Sequence, residues 1–264
     1  MTKALDLDGL AVVADRAARA GGEIVLQQFG RAEEARQKSP GDWVSAADLA
    51  SEQRVREILD RETGLPVFGE ERGGELSETG WLVDPLDGTA NFVHGFDAVG
   101  VSIGLLVDGV PTVGVVHAPV LGRTYSAVRG AGARRDGAPM SVSVRPPANA
   151  IVATGFPFRH KDLLATYEPV FAAALRRFED LRRAGSASLD LCWTADGVFD
   201  GYFELRLGPW DVAAGAVIVR EAGGVVTDWT GDGQAWLTSG NIVAGPPVVH
   251  KALLELIAGA SSAS

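Results

Sequence analysis

Asp84 and Asp87 stand three residues apart in Trp81 to Phe96, WLVDPLDGTANFVHGF, and could hold a metal ion between them. Trp81, Leu82 and Val83 are a short apolar run that predicts the end of a buried strand, and Asp84 to Thr89 predict a sharp, rigid exit from it. Both carboxylates would then leave one strand terminus together. Pro85 fixes its own φ and donates no hydrogen bond, so the backbone between the carboxylates can turn the Leu86 carbonyl toward whatever they hold. Clustered oxygens suit a hard cation, Mg²⁺ in particular. Gly88, Thr89 and Asn91 open a short helix-like segment whose free N–H groups could receive a phosphate, the ligand that most often accompanies Mg²⁺. Asp-Pro-Leu-Asp-Gly is also the composition of an ordinary turn, and the motif alone leaves both readings open.

Other carboxylates are placed to join the pair. Pro66 to Phe68 predict a short strand running into Gly69-Glu70-Glu71, so two neighbouring strands would deliver Glu70, Asp84 and Asp87 to one place. Adjacent glutamates beside glycines are equally the composition of a solvated loop. Asp48 closes a capping-box-like start, Ser45-Ala46-Ala47-Asp48, to a helix through Leu59, and a helix N-terminal charge needs no catalytic explanation. Asp211, in the first turn of a helix from Trp210 to Glu221, carries the same ambiguity. Glu204 falls near the end of a strand predicted over Val198 to Leu205.

The elements that must position these groups follow from periodicity. Leu10, Val13, Ala17, Ala20 and Ile24 predict an amphipathic helix over 4 to 29, ending near Gly30. Lys38 to Asp42 read as a loop between short strands. Ala98 to Ser143 alternate as strands with Asp108-Gly109 and Asp136-Gly137 turns, which predicts hairpins of an antiparallel or mixed sheet; His117 lies in one of them, packed or hydrogen-bonded. The second half alternates: strand Ile151 to Thr154, helix Leu163 to Phe178, strand Asp180 to Arg183, a helix capped by Gly185 to Ser188, and strands near Val225 to Thr227 and Ile242 to Ala244. Ala213, Ala214 and Gly215 give the Trp210 helix a face small enough for very close packing. Ala258 to Ser264 read as a low-complexity tail.

Composition sets the outer limits. The chain has 264 residues, 46% of them hydrophobic, enough for one large core or two fused lobes. It contains no apolar run of membrane-spanning length and no signal-like N-terminus, so a cytoplasmic protein is expected. A single cysteine, Cys192, excludes an internal disulfide or a cysteine-rich metal site and reads as a small buried hydrophobe. The net charge of −10, from 34 acidic against 24 basic residues, argues against direct nucleic-acid binding.

Taken in order, Gly69-Glu70-Glu71, the run W-x-V-D-P-L-D-G-T-x-N-F-x-H from Trp81 to His94, and W-D-V-A-A-G-x-x-I-V-x-E-A-G-G from Trp210 to Gly224 resemble the inositol monophosphatase family. Lys38, Asp48, Gly185-Ser186-Ala187 and Glu204 fit the same pattern. The resemblance implies an α+β fold, a layered αβαβα sandwich of the inositol monophosphatase and fructose-1,6-bisphosphatase type. The unit would be a single domain over 1–264, with an N-terminal lobe to about 147 and a C-terminal lobe from about 148. It implies a homodimer that hydrolyses small phosphate monoesters with about two or three Mg²⁺ ions and is inhibited by Li⁺.

Carried over by position, Glu70, Asp84, Asp87, Asp211 and the Leu86 carbonyl would be metal ligands. Glu70 and Thr89 would activate the attacking water, with Asp48 and Lys38 also in the catalytic set. Gly88 and Thr89 N–H groups would hold the phosphate, while Asp87, Gly185, Ser186, Ala187, Glu204 and Asp211 would meet the substrate. Gly185 to Trp210, with Phe156 to Lys161 (FPFRHK), is most similar to bacterial inositol-1-monophosphatases, some of which associate with the transcription machinery. Myo-inositol 1-phosphate is therefore the first expected substrate. Histidinol phosphate, fructose 1,6-bisphosphate, NADP and 3′-phosphoadenosine 5′-phosphate are the alternatives, and a regulatory role without catalysis is the alternative class. Arg206 to Pro209 differ from the animal enzymes and leave the leaving-group side open.

Overall fold

The computed structural model describes residues 5–30, 36–39 and 42–261, with backbone alone for 36–39, 42 and 261. Helix α1 (Leu7–Gln28) is capped by Asp6, whose carboxylate accepts from the Gly9 N–H at 3.1 Å. Its buried face is Ala14, Ala17, Ala18, Gly21, Gly22 and Val25, which shares only Ala17 with the expected stripe. Closeness of approach decides this. A Cβ at Gly22 would lie 2.5 Å from the His117 ring and one at Gly21 2.7 Å from Ser51 Oγ, so the larger residues flank the contact. His117 is held by Thr124, 2.8 Å from its Nδ1.

The flanking strands are present as β1 (Arg36–Ser39) and β2 (Asp42–Val44), but they take in Lys38, Ser39 and Asp42 of the expected loop, because the two strands pair antiparallel as far as Ser39 and Asp42; Pro40 and Gly41 lie outside the described residues. Helix α2 (Ala46–Thr63) begins with a complete Ser45/Asp48 capping box and ends at Gly64 with φ +64°. A seven-stranded sheet follows, in the order β3 (Val67–Gly69), β4 (Gly80–Asp87), β5 (Gly100–Val107), β6 (Val110–Ala118), β7 (Arg123–Val128), β8 (Ala133–Arg135), β9 (Ala138–Pro139). β3 and β4 pair in parallel and the rest antiparallel. Asp108-Gly109 and Asp136-Gly137 turn with positive φ throughout, as a two-residue hairpin requires.

β4 runs further than its apolar run predicts. Asp84 pairs with Ser102 and Asp87 with Gly100, and the register shifts between them, where Pro85 has no N–H to offer the ladder. The carboxylates therefore leave from a bulge inside a paired strand rather than from beyond its end. Helix α3 (Thr89–His94) starts at Gly88 with φ +89°, where a Cβ would come 2.8 Å from the Ala98 carbonyl.

The second sheet has the order β11 (Asp180–Arg182), β10 (Ile151–Thr154), β12 (Gly201–Glu204), β14 (Ile242–Gly245), β13 (Val225–Thr227). β10 is parallel to β11 and β12, while β14 is antiparallel to β12 and β13. The strand expected from Val198 begins only at Gly201. Buried Asp200 takes the Ile151 N–H at 2.7 Å and the Arg145 Nε at 2.8 Å, fixing the preceding loop by side-chain bonds. Helices α5 (Ala187–Ala195) and α6 (Pro209–Glu221) lie between the sheets, α1 and α2 cover the outer face of the first, and α4 (Leu164–Arg177) and α8 (Pro247–Ser261) cover the second. The layers are thus αβαβα.

α6 shows why small residues were needed. A Cβ at Gly114 would lie 2.3 Å from the Ala214 carbonyl oxygen, and one at Gly104 3.1 Å from the Ala214 nitrogen, so helix backbone and sheet backbone touch. Cys192 is fully buried in the core between the sheets. α7 (Trp236–Ser239) and α8 have no counterpart in the sequence reading. Val249, Leu253 and Ile257, at four-residue spacing and buried, hold α8 on the second sheet and extend it into the expected tail as far as Ser261.

Candidate active site

Three elements bring three carboxylates together. Glu70 follows β3, Asp84 stands on β4 beside it, and Asp211 lies in the first turn of α6; one oxygen from each falls within 4.8 Å of the others. The Glu70 N–H donates to the Val83 carbonyl at 3.1 Å, which ties its turn to β4. Asp211 Oδ2 accepts from the Gly208 N–H at 2.6 Å, so the helix-capping reading of this residue holds and still leaves its carboxyl at the cluster. Three carboxylates this close repel one another unless protons or a cation sit among them. Burial, then the charges of Glu70, Asp87 and Asp211, push Asp84 well above the ordinary carboxylate range. Burial, then Asp87, pushes Asp211 up to about 7.

Asp87 faces the next layer. Its Oδ2 accepts from Ser186 Oγ at 2.6 Å and from the Ser188 N–H at 2.7 Å, with the Ser188 hydroxyl as a third donor. Burial raises its pKa against these bonds. The expected Ser186 cap of α5 is absent for this reason: the hydroxyl is spent on Asp87, and Ser186 is fully buried behind it. Gly185 and Ala187, by contrast, line the cleft.

Thr89 Oγ1 lies 3.0 Å from Asp48 Oδ1 and 3.1 Å from the Leu86 carbonyl, with one proton to share between them. Asp48 Oδ2 meanwhile accepts from the Ser45 N–H at 2.8 Å and the Ser45 hydroxyl at 2.6 Å. Cap and hydroxyl acceptor are thus one residue. Burial pushes Asp48 up to about 6, against the Ser45 and Thr89 bonds. Lys38 falls within β1, and its side chain lies outside the described residues.

The cluster forms the floor of a cleft of about 460 Å³. Glu204, at the end of β12, stands on its far wall and takes a hydrogen bond from the Tyr202 hydroxyl at 2.5 Å. Burial pushes Glu204 up to about 7, partly offset by that bond. Its carboxylate rests directly on Gly155, where any side chain would collide with it. Phe156, Phe158 and Arg159 of the FPFRHK stretch line the mouth, as do Arg206 to Gly208. Arg183 lies 5.3 Å over the Phe158 ring.

Several supporting contacts escaped the sequence reading. Asn91 Nδ2 donates to the Ala98 and Ala184 carbonyls, each at 2.8 Å, and so stitches α3 to the loop before α5. Asp190, 1% exposed on α5, has no hydrogen-bond partner for either carboxyl oxygen among the described residues. Burial, then Glu204 and Asp87, hold it well above its usual range. Glu52 and Ser51 on α2 bond the two turns that carry Glu70 and Asp84. Their one available signal was spacing, since Ser51 and Glu52 stand three and four residues after Asp48 and share its helix face.

The chain is similar to several known proteins over most of its length. The protein called Nus factor SuhB from Pasteurella multocida is 40% identical over 252 residues, covering 93% of this chain and 94% of its own. The crystal structure of extragenic suppressor protein suhB from Bartonella henselae superposes with a TM-score of 0.90 at 34% identity, over 94% of this chain and 98% of that one. Inositol monophosphatase from Anabaena (Nostoc) sp. PCC 7120 gives 0.86 at 32%, over 97% of each chain. No described helix is long and apolar enough to cross a membrane. A sequence model of the inositol monophosphatase family matches residues 6–263, and with these relatives it shows that the chain belongs to that family.

Proposed function

We propose that the chain is a Mg²⁺-dependent phosphoric monoester hydrolase with myo-inositol 1-phosphate as its first candidate substrate. The reading is carried by the meeting of Glu70, Asp84 and Asp211 within 4.8 Å on the floor of a cleft whose far wall bears Glu204. Asp87 and the Leu86 carbonyl would complete an all-oxygen donor set, which suits Mg²⁺ rather than a softer metal. Bound there, about two or three Mg²⁺ ions would supply the positive charge that phosphoryl transfer requires.

The chain's own groups would handle protons and orientation. Glu70 would accept the proton of the attacking water, and Thr89, whose hydroxyl donates to Asp48 across 3.0 Å, would orient that water through its oxygen lone pair. An Asp48 pKa of about 6 keeps that acceptor ionised yet protonatable near neutrality. Gly88 and Thr89 N–H groups would hold the phosphate, and Lys38 joins the catalytic set by resemblance alone. Gly185, Ala187, Glu204 and Asp211 would meet the alcohol, and Ser186 would act through Asp87. The family resemblance adds Li⁺ inhibition, a homodimer and a cytoplasmic setting to the proposal.

Phosphate release from inositol 1-phosphate, histidinol phosphate, fructose 1,6-bisphosphate, NADP and 3′-phosphoadenosine 5′-phosphate, with and without Mg²⁺, tests the reading. Mg²⁺-dependent release with highest efficiency on inositol 1-phosphate is expected; no release from any of them would overturn it. A second role in transcription is favoured by one observation, the name Nus factor carried by relatives 40% identical to this chain. Retention of RNA polymerase or its elongation factors on the immobilised protein would test that role.

A further inference from the structure

One face of α2 touches the turn after Glu70, the bulge between Asp84 and Asp87, and Thr89. Asp48, Ser51 and Glu52 stand at i, i+3 and i+4 and are each 0% exposed. Asp48 meets Thr89. Ser51 Oγ donates to the Pro85 carbonyl at 2.8 Å, between Asp84 and Asp87. Glu52 accepts from the Glu71 N–H at 2.8 Å and the Arg72 N–H at 3.2 Å, the two amides that directly follow Glu70. Arg56, one turn on, donates its Nε to Glu52 Oε1 at 2.7 Å and its Nη1 to the Val67 carbonyl at 2.9 Å, and also bonds the Gly73 carbonyl. Carboxylate and guanidinium thus clasp the 67–73 turn from one side, so closely that a Cβ at Gly69 would lie 2.5 Å from Glu52 Oε1.

We propose that this face of α2 sets the spacing of the cation site, with Glu52 and Ser51 as its positioning residues. The inference rests on reading the Glu70, Asp84 and Asp211 cluster as a cation site. Glu70 sits on a turn, and its carboxylate reaches the cluster only if the backbone after it is fixed. Glu52 fixes that backbone with both oxygens. A glutamine there keeps one acceptor and turns an N–H₂ group toward another donor, so one of the three bonds becomes a repulsion and the turn must shift. Ser51 does the equivalent for the bulge of β4, because the Pro85 carbonyl it holds lies between the two aspartates. Groups of this kind, which touch the ligands rather than the metal, commonly govern metal affinity and activity by about 10- to 100-fold.

The test is binding of Mn²⁺ alone, followed by electron paramagnetic resonance, to wild type, Glu52→Gln, Ser51→Ala and, as a control for loss of a ligand, Glu70→Gln. Glu52→Gln is expected to bind about 10- to 100-fold more weakly and Ser51→Ala about tenfold, with KM for the phosphate ester at saturating metal little changed. Their turnover deficit should shrink as Mg²⁺ is raised, whereas that of Glu70→Gln should persist. If Glu52→Gln does not fold, Ser51→Ala decides, since it only removes a hydroxyl. Mn²⁺ affinity within about twofold of wild type in the folded variants would overturn the proposal, whatever happened to melting temperature. Wild type that binds no Mn²⁺ would overturn it too. Wild type that binds Mn²⁺ but hydrolyses no ester, with the variants weakened as expected, would leave it standing and sink the phosphatase reading instead.

Discussion

Replacing Asp211 by asparagine separates the two explanations of that residue by the sign of a stability change. A carboxyl ordinarily near 3.8 is raised here to about 7, first by burial and then by Asp87. A raised carboxyl is neutral and costs nothing below its unfolded pKa; the cost of ionising it grows as pH climbs and is complete above the folded pKa. Between 3.8 and about 7 that cost is at most about 4 kcal/mol, and because Asp84 shares the repulsion we expect about 1 to 3 kcal/mol for Asp211 alone. Asparagine keeps an acceptor for the Gly208 N–H, so the cap survives. Metal-free Asp211→Asn at pH 8 should therefore be more stable than wild type by that amount, and the gain should vanish near pH 4. Mg²⁺ at about 100 times its Kd should then stabilise wild type by about 2.7 kcal/mol and the mutant by much less, with turnover largely lost. Urea unfolding in EDTA at several pH values, repeated with Mg²⁺ and paired with phosphate-release kinetics, measures all of this. A helix-dipole charge alone predicts the opposite, a loss of about 0.3 to 1 kcal/mol with unaltered kinetics, and that result would refute the reasoning.

Glu70→Gln should fold and lose about 10²- to 10⁴-fold in kcat at saturating Mg²⁺; near-normal turnover in a steady-state assay would remove Glu70 from the chemistry. Glu204→Ala should lower kcat/KM on inositol 1-phosphate by about ten- to a hundredfold, the equivalent of about 1.5 to 3 kcal/mol, and spare a plain alkyl phosphate; equal losses on both would show that it is no specificity residue. Half-saturating Mg²⁺ should rise about tenfold for each pH unit below 7, because a proton on Asp211 or Asp84 must leave before the cation enters, and identical titrations at pH 6 and 8 would contradict this. Gly114→Ala should cost about 1 to 3 kcal/mol in chemical unfolding, since its Cβ would lie 2.3 Å from the Ala214 oxygen.

Local signals in the sequence were sufficient where local physics decides the outcome. The Asp-Gly turns, the alternation from Ala98 to Ser143 and the Ser45/Asp48 box each act within a few residues, and the hairpins and the cap form as expected. Asp84 and Asp87 were visible as a pair, but the meeting of Asp84 with Asp211, more than a hundred residues later, was legible only through likeness to a family. Other features depend on what arrives from elsewhere. Ser186 reads as a cap until Asp87 comes within 2.6 Å and takes its hydroxyl. Glu52 carries no signal of its own until the 67–73 turn folds over it and supplies its donors. The face of α1 was read only in part: Leu10, Val13 and Ala20 pack against the core half-buried, while backbone closeness, rather than side-chain bulk, selected the fully buried residues.

The burial of α6 between two sheets bears on how the chain could be divided. Residues 1–147 hold the whole seven-stranded sheet, yet the helix that covers Gly104 and Gly114 belongs to the later half. Severed near that boundary, the first fragment would offer bare backbone and apolar strand surface to water, and the second would carry a helix grooved for a sheet it no longer meets. Neither piece is a transferable module. In native-state hydrogen exchange the α6 amides should open only with the whole molecule, so anything bound at the helix's first turn would slow exchange across both sheets together.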